Sequence, residues 1–259
     1  HNLAISYSKL GETHTALGNL AHALAYFEEY YRLGQALYAA YPSTVSFKHG
    51  LAVSYSKLGD AHTALGNLAQ ALEFFEEAMK LSQELYAAYP SNVSFKNGLA
   101  ISYEKLGATH TALGNLAQAL GYFEEETELF KTLYAAYPSN VGFKNGLAIS
   151  YSKLGETHTA LGNLAQALEY FEEDMKLSQE LYAAYPSNVS FKNGLAVSYS
   201  NLFHIHSKLN HSDQAIEHLK HCQKIWSELN TDFPKHVEFK TNLVTIENLL
   251  NVQEKPNHD

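Results

Sequence analysis

The sequence predicts an all-helical protein made of one helix pair that is repeated along the chain. Two observations support this prediction. Near-identical segments recur every 48 residues, and the apolar residues inside each segment follow the periodicity of a helix. No segment alternates apolar and polar residues as a half-buried strand does. One helix pair cannot bury its apolar faces alone, so we expect a solenoid in which stacked pairs share a continuous core.

The string Leu-Ala-(Ile/Val)-Ser-Tyr marks the start of each repeat. The second and fourth repeats differ at only five positions, whereas the fifth keeps the apolar frame and changes most other residues. We expect a single domain over residues 1–252 and a disordered tail over 253–259. The domain divides into repeats at 3–50, 51–98, 99–146 and 147–194, a diverged repeat at 195–242 and a capping helix at 243–252.

Within the second repeat, turn residues separate two helical stripes. Apolar and aromatic residues between positions 47 and 65 are three or four residues apart, which predicts one long helix. Gly66 then ends it, because glycine adopts the left-handed conformation at little cost. A second stripe runs from 68 to 89, where Pro90 ends the helical region and Asn92 supplies the N-cap of the next helix.

These repeats resemble the tetratricopeptide repeat, whose signature places aromatic, Leu-Gly and aromatic residues on one helix and Ala and Phe on the next. In the second repeat the matching residues are Tyr55, Leu58, Gly59, His62, Ala71 and Phe75, and the pattern recurs in the first, third and fourth repeats. The period is longer than the family's usual value of about 34 residues. The fifth repeat has Phe203 in place of the glycine and Leu219 in place of the phenylalanine. The resemblance implies a right-handed α-solenoid of antiparallel helix pairs.

The resemblance also implies a binding site for a protein or peptide, because in this family the first helices line a concave groove. Helical spacing extends the row of carried-over positions to three asparagines. The predicted groove residues are Ser8, Glu12, Thr15, Ser56, Asp60, Thr63, Asn97, Glu104, Thr111, Asn145, Ser152, Glu156, Thr159 and Asn193. They are small, polar and mildly acidic, so we expect a neutral or basic partner. Ordinary solvated helix faces have the same composition, and that alternative stays open.

Composition excludes several classes of partner. The chain has 18 Lys and Arg against 27 Asp and Glu, a net charge of −9. Nucleic acids and anionic membranes are bound by clustered Lys and Arg, so we expect neither as a partner. No apolar run is long enough to span a bilayer, and no secretory signal is visible. The single cysteine, Cys222, cannot form an intramolecular disulfide, and we therefore expect a cytoplasmic protein.

Histidine is the residue type that most suggests chemistry. One histidine recurs at the second aromatic position of every repeat, where we expect packing, because helices about 8–10 Å apart cannot share one zinc ion through rings one repeat apart. In the fifth repeat His218 and Cys222 lie four residues apart on one helix face. No metal-binding frame such as Cys-x2-Cys accompanies them, and we expect neither a metal site nor a cofactor.

Nothing in the sequence indicates catalysis. The Glu-Glu pairs in the second helices are successive residues, so they do not face each other across a site, and no nucleophile elbow or phosphate loop is present. The leading hypothesis is a protein–protein interaction scaffold, as part of a larger multidomain protein. The alternative is a structural spacer or self-associating array without a groove ligand. A metal-dependent role of the fifth repeat is a third possibility.

The two ends of the chain are predicted to differ. The fifth repeat and the helix after it look like a cap, whereas the first helix has no preceding second helix to cover it. Its uncovered side is expected to include Leu3, Tyr7, Leu10 and Leu17. Burying such side chains favours association. We therefore expect weak homodimers through the N-terminal ends, with a two-fold contact that closes.

Overall fold

The computed structural model describes residues 2–253 and confirms the predicted all-α class. These residues form eleven α-helices and no strand. Gln253 ends the last helix, and the rest of the predicted tail lies outside the described residues. The helices are α1 (Asn2–Ala16), α2 (Leu20–Ala40), α3 (Val45–Ala64), α4 (Leu68–Ala88), α5 (Val93–Ala112), α6 (Leu116–Ala136), α7 (Val141–Ala160), α8 (Leu164–Ala184), α9 (Val189–Lys208), α10 (Ser212–Asp232) and α11 (Val237–Gln253).

Each full repeat combines a first helix of 20 residues with a second helix of 21, as in α3 and α4. Gly66 ends α3 in the left-handed region at φ 79°. The backbone N–H groups of Gly66 and Asn67 donate to the carbonyls of Thr63 and His62, at 2.9 and 2.8 Å, so that two terminal carbonyls are satisfied. The fifth repeat has no glycine here, and Asn210 adopts the left-handed conformation at φ 61°.

The junction from one repeat to the next is closed by the predicted asparagine cap. The side chain of Asn92 accepts a hydrogen bond from the backbone N–H of Phe95 at 3.1 Å, and Asn188 accepts from Phe191 at 3.2 Å. Each cap satisfies one of the N–H groups that the first turn of a helix leaves without a partner.

A glycine allows the two helices of a pair to approach closely. A Cβ atom added at Gly59 would lie 2.4 Å from the ring of Phe75, which is buried on α4. Gly11, Gly107 and Gly155 meet phenylalanine rings in the same way. In the fifth repeat Phe203 replaces the glycine and Leu219 replaces the phenylalanine, and both side chains are buried. The ring has moved to the first helix, and this explains the departure from the family pattern.

The chain forms two compact units, one up to Leu129 and one from Phe130 onward. In the first unit, α2 and α4 each pack on the first helix of the next repeat. Ala23 and Phe27 of α2 cluster with Leu58 of α3, and Ala71 and Phe75 of α4 cluster with Leu106 of α5.

In the second unit one core cluster joins α8 to α11. Phe239, Ile246 and Leu250 of α11 pack into the same cluster as Trp226 and Leu229 of α10. This last helix begins at Val237, earlier than the 243 predicted from the sequence. It covers the apolar side of α10, as expected of a cap.

Candidate functional site

The predicted groove residues lie on first helices, and first helices of successive repeats are neighbours within each unit. α1 contacts α3 in the first unit, and α7 contacts α9 in the second. None of the fourteen predicted residues is buried. Five are exposed and nine are half-buried; the exposed residues are Glu12, Thr15, Thr63, Thr111 and Glu156. The row is therefore accessible to a partner.

Two neighbouring clefts bring several of these residues together in the first unit. The α3–α5 cleft has a volume of about 520 Å³, and Ser56, Asp60 and Asn97 line it. A second cleft of about 270 Å³ lies beside α1, α2 and α3, and it includes Glu12, Thr15 and Asp60. Small residues such as Ala52, Gly98 and Ser102 form part of the α3–α5 lining and leave room for a side chain.

Each first helix from α1 to α9 carries a branched aliphatic residue at an equivalent position, four of the five are exposed, and the groove residues predicted from the sequence did not include them. Val53 and Ile101 line the α3–α5 cleft, and Ile101 is 39% exposed. The equivalent residues in the other repeats are Ile5, Ile149 and Val197, with exposed fractions of 41%, 43% and 36%. The signal was available, because Ile101 lies four residues after Asn97 and three before Glu104, in the spacing of the predicted row. The surface is thus partly apolar.

Two carboxylates of this surface in the first unit, Glu12 and Asp60, are paired with lysines of the next repeat. Lys57 Nζ lies 2.8 Å from Glu12 Oε1, and Lys105 Nζ lies 2.8 Å from Asp60 Oδ1. Burial lowers the pKa of Lys105, but attraction to Asp60 and a hydrogen bond with it outweigh burial and raise the pKa above its usual value. The mildly acidic character that the sequence suggested is therefore largely neutralised where these pairs form.

The threonines among the predicted groove residues donate hydrogen bonds from their hydroxyl groups to carbonyls of their own helices. Thr15 and Thr63 each donate to a glycine carbonyl four residues earlier, at 2.9 Å. Thr111 and Thr159 do the same, at 2.9 and 2.8 Å. These side chains can offer a partner an acceptor oxygen and a methyl group while those bonds persist.

Hydrogen bonds bridge the corresponding surface of the second unit. Asn193 Oδ1 accepts from Trp226 Nε1 at 2.9 Å. Asn201, which stands where other repeats have lysine, donates to Ser152 Oγ at 3.1 Å. Lys153 lies 3.8 Å from Glu156 of its own helix. Ser152, Glu156 and Asn193 are therefore engaged with neighbouring side chains.

The repeated histidines pack against rings of the second helix, as the sequence predicted. His62 stacks on Phe74, His110 on Tyr122 and His158 on Tyr170, with ring centroids 5.3 to 5.4 Å apart. In the fifth repeat His206 stacks on His218 at 5.2 Å. This row of rings is part of the packing between the two helices of each pair.

The environment of Cys222 argues against a metal site shared with His218. The Cys222 thiol is buried and lies 3.2 Å from the carbonyl oxygen of Ala196, and burial raises its pKa to about 12. Such a thiol stays protonated near neutral pH, which makes it a poor ligand and nucleophile. Within residues 2–253, no three His, Cys, Asp or Glu side chains meet in an arrangement that could hold a metal ion.

Family models decide the classification. Two models described as tetratricopeptide repeat match this chain, one over residues 50–132 and the other over residues 3–40 and 147–184. Together they cover more than half of the chain. The chain belongs to the tetratricopeptide repeat family. Tetratricopeptide repeats are generally protein–protein interaction scaffolds.

Solved structures with low sequence identity share the fold. BtubC (BKLC) from P. vanneervenii has a TM-score of 0.59 and 17% identity, over 88% of this chain and 91% of that one. A putative kinesin light chain from Podosopora anserina with nearly identical TPR-like repeats has 0.53 and 19%, over 86% and 95%. The apo form of RapI has 0.67 and 13%, over 96% and 84%. No curated protein sequence matches the chain.

Of the helices within residues 2–253, none combines the length and the apolar character that crossing a bilayer requires.

Proposed function

We propose that this tetratricopeptide repeat protein binds a segment of another protein or a peptide along its first helices, with the α3–α5 cleft as the main contact. The observation that supports this most is the cleft's combination of aliphatic side chains, the exposed Ile101 and the half-buried Val53, with polar groups at Ser56 and Asn97. Binding sites commonly join an apolar lining to a few placed polar groups in this way.

The paired charges define the chemistry of the expected partner. Glu12 and Asp60 already have lysine partners, so an added charge of either sign gains little from them. Apolar side chains of the partner would pack on Ile101 and Val53, and its polar groups would hydrogen-bond with Asn97 and Ser56. We therefore propose a segment of low net charge with apolar side chains, whose affinity changes little with salt.

Selection from a random peptide library tests the proposal without a known ligand. A phage-displayed library of dodecamers would be selected on the wild-type protein, and each enriched peptide measured by calorimetry. Ile101→Glu places a charge in the cleft at an exposed position that tolerates it. We expect this change to weaken the enriched peptides at least tenfold, because the apolar contact is lost.

A matched variant on a second helix separates the cleft from the rest of the surface. Lys80 is exposed on α4, and Lys80→Glu should leave peptide affinity unchanged. Enriched peptides that ignore Ile101→Glu would place binding elsewhere. A library that yields no binder would favour the spacer.

A specific observation favours the spacer or self-associating alternative as a second candidate. Leu3 and Leu10 on α1 are 57% and 41% exposed, whereas the equivalent Leu51 and Leu58 are 6% and 1% exposed. The interior leucines are covered by the preceding second helix, as Leu58 is by Phe27. We propose that two copies pair weakly through this α1 face.

Sedimentation at several concentrations tests the pairing. Leu10→Glu should abolish any dimer, because it charges the centre of the proposed contact. Leu113→Glu is the matched control, since Leu113 is 38% exposed at a turn away from α1. A wild-type protein that stays monomeric at hundreds of micromolar would refute this candidate.

The proposal assigns binding and not catalysis to the chain, without a cofactor, and places the protein in the cytoplasm. The sequence has a single cysteine and cannot form an intramolecular disulfide, which supports a reducing compartment. Fluorescence microscopy of the tagged protein in its native cell would test the location.

A further inference from the structure

One position on the second helices changes its chemical character from repeat to repeat. Across the five repeats it holds Tyr30, Ala78, Glu126, Asp174 and Cys222. The contrast between the second and fourth repeats is the clearest, because those two repeats differ at only five positions and this is one of them. The second repeat has the methyl group of Ala78 where the fourth repeat has the carboxyl group of Asp174.

Asp174 places that carboxyl inside the junction between α8 and α9. The residue is 4% exposed. Ser178 Oγ donates to Asp174 Oδ1 at 3.1 Å, and Ser198 Oγ of α9 donates to Ser178 Oγ, also at 3.1 Å. The carboxyl therefore ends a short chain of hydroxyl groups that links the two helices.

The charges around this carboxyl do not favour its ionised form. The Glu156 carboxylate of α7 repels the ionised form of Asp174. The group that faces Asp174 from α9 is the hydroxyl of Ser198. Burial raises the pKa of Asp174 to about 6, the two serine hydrogen bonds oppose that rise, and repulsion from Glu156 adds to it. A buried carboxylate without a cation is costly, so the neutral form is preferred in the fold.

The second repeat is a natural control for this arrangement. Its junction keeps the hydroxyl pair, since Ser102 Oγ donates to Ser82 Oγ at 3.2 Å. Ala78 replaces the carboxyl there and is 2% exposed. The hydroxyl link is thus compatible with a junction that contains no titratable group at this position.

We propose that Asp174 makes the α8–α9 junction pH-sensitive: the neutral carboxyl holds the two helices together, and ionisation loosens them. The α4–α5 junction lacks this dependence because it has Ala78. Loosening at neutral pH would increase local opening of α9 and the helices that follow it, and acidification would tighten the same region.

The direction follows from the two states of the carboxyl. Its folded-state pKa of about 6 lies above the ordinary aspartate value of 3.8, so the folded state holds the proton more tightly than the open state. The stabilisation is complete at low pH and is lost as pH rises from about 4 through about 6. One pKa unit corresponds to a factor of ten, and the open population should therefore grow about tenfold between pH 5 and pH 7.5.

Native-state hydrogen exchange of the full chain measures this opening directly. Amide exchange in α9 would be followed at pH 5 and pH 7.5, with each rate corrected for its intrinsic pH dependence. The wild type should open about tenfold more at the higher pH. Asp174→Asn keeps the shape without the titration, and Asp174→Ala reproduces the junction of the second repeat. Both variants should lose that tenfold change.

Comparison with the asparagine variant removes contributions from all other titrating groups, because the two proteins differ only at position 174. Equal pH dependence of α9 opening in the wild type and Asp174→Asn would overturn the proposal. So would a wild-type protein whose α9 opens more at pH 5 than at pH 7.5.

Discussion

The second and fourth repeats share all but five residues, and their surroundings show which features belong to the frame and which can vary. The frame is the same in both, with the glycine–phenylalanine contact, the asparagine cap and the serine pair. The side-chain contacts made around that frame differ. Asp60 of the second repeat pairs with Lys105 of the third, whereas the repeat that follows the fourth has Asn201 in place of that lysine, and Asn201 bonds to Ser152. A nearly constant sequence therefore supports two different surfaces.

This difference teaches that small substitutions on a fixed frame alter one property at a time. Ala78 and Asp174 change the interior of a junction, and the serine pair persists beside both. The replacement of lysine, as at Lys105, by asparagine at Asn201 changes the outer surface between first helices. In a repeat protein each change is felt mainly by its neighbours, because contacts are confined to adjacent repeats.

The largest expected effect comes from moving the buried carboxyl into the second repeat. Ala78→Asp should destabilise the α4–α5 junction by about 3 kcal/mol at pH 7.5, since ionisation there is penalised as in the fourth repeat. The loss should shrink as pH falls towards 4. Hydrogen exchange of α5 amides at both pH values would check this, and an equal loss at both would show a steric effect instead.

The next largest effect tests whether the glycine–phenylalanine contact contributes equally to stability in the second and fourth repeats. Gly59→Ala and Gly155→Ala would each bring a Cβ atom to 2.4 or 2.5 Å from a buried phenylalanine ring. Each should cost about 2 kcal/mol, because overpacking outweighs the higher helix propensity of alanine. Urea denaturation of both variants would measure it. A large loss in one repeat and none in the other would break the comparison.

Removal of the asparagine caps should have a smaller and matched effect. Asn92→Ala and Asn188→Ala each delete one side-chain acceptor from the first turn of a helix, and each should cost about 1 kcal/mol. Thr44 makes no side-chain cap bond at the first such junction, so Thr44→Ala serves as the control with little change. Thermal denaturation of the three variants compares them, and an equal shift in all three would contradict the role of the cap bond.

The smallest expected effect concerns the ion pair of the α3–α5 cleft. Lys105→Gln removes the partner of Asp60 and should change stability by less than about 1 kcal/mol, since the pair is partly solvated. Titration of a selected peptide should show that affinity for a basic variant of that peptide increases, because Asp60 is then unpaired. An unchanged preference would mean that Asp60 does not contact the partner.

The fold could be predicted from the sequence because the signals were local and repeated. Gly66 and Asn92 both have the roles that their residue types suggested, and the histidine row packs as predicted. The start of the last helix was wrong by several residues, since no repeat follows to fix its boundary.

The candidate site was harder to predict, because it depends on contacts between repeats. The Lys57–Glu12 and Lys105–Asp60 pairs join residues 45 positions apart, which no local pattern indicates. Ile101 was not among the predicted groove residues, because that row was defined by polar residues only. The environment of Asp174 also depends on the next repeat, because Ser198 of α9 is linked to it through a chain of hydrogen bonds.

The most direct test of the account is the hydrogen-exchange footprint of a peptide selected on the wild-type protein. Bound peptide should slow exchange in α3 and α5 around Val53, Asn97 and Ile101, because these residues line the proposed contact. Helix α4 near Lys80 should be unaffected. Protection confined to second helices or turns, with α3 and α5 unchanged, would contradict the central claim that the first helices bind the partner.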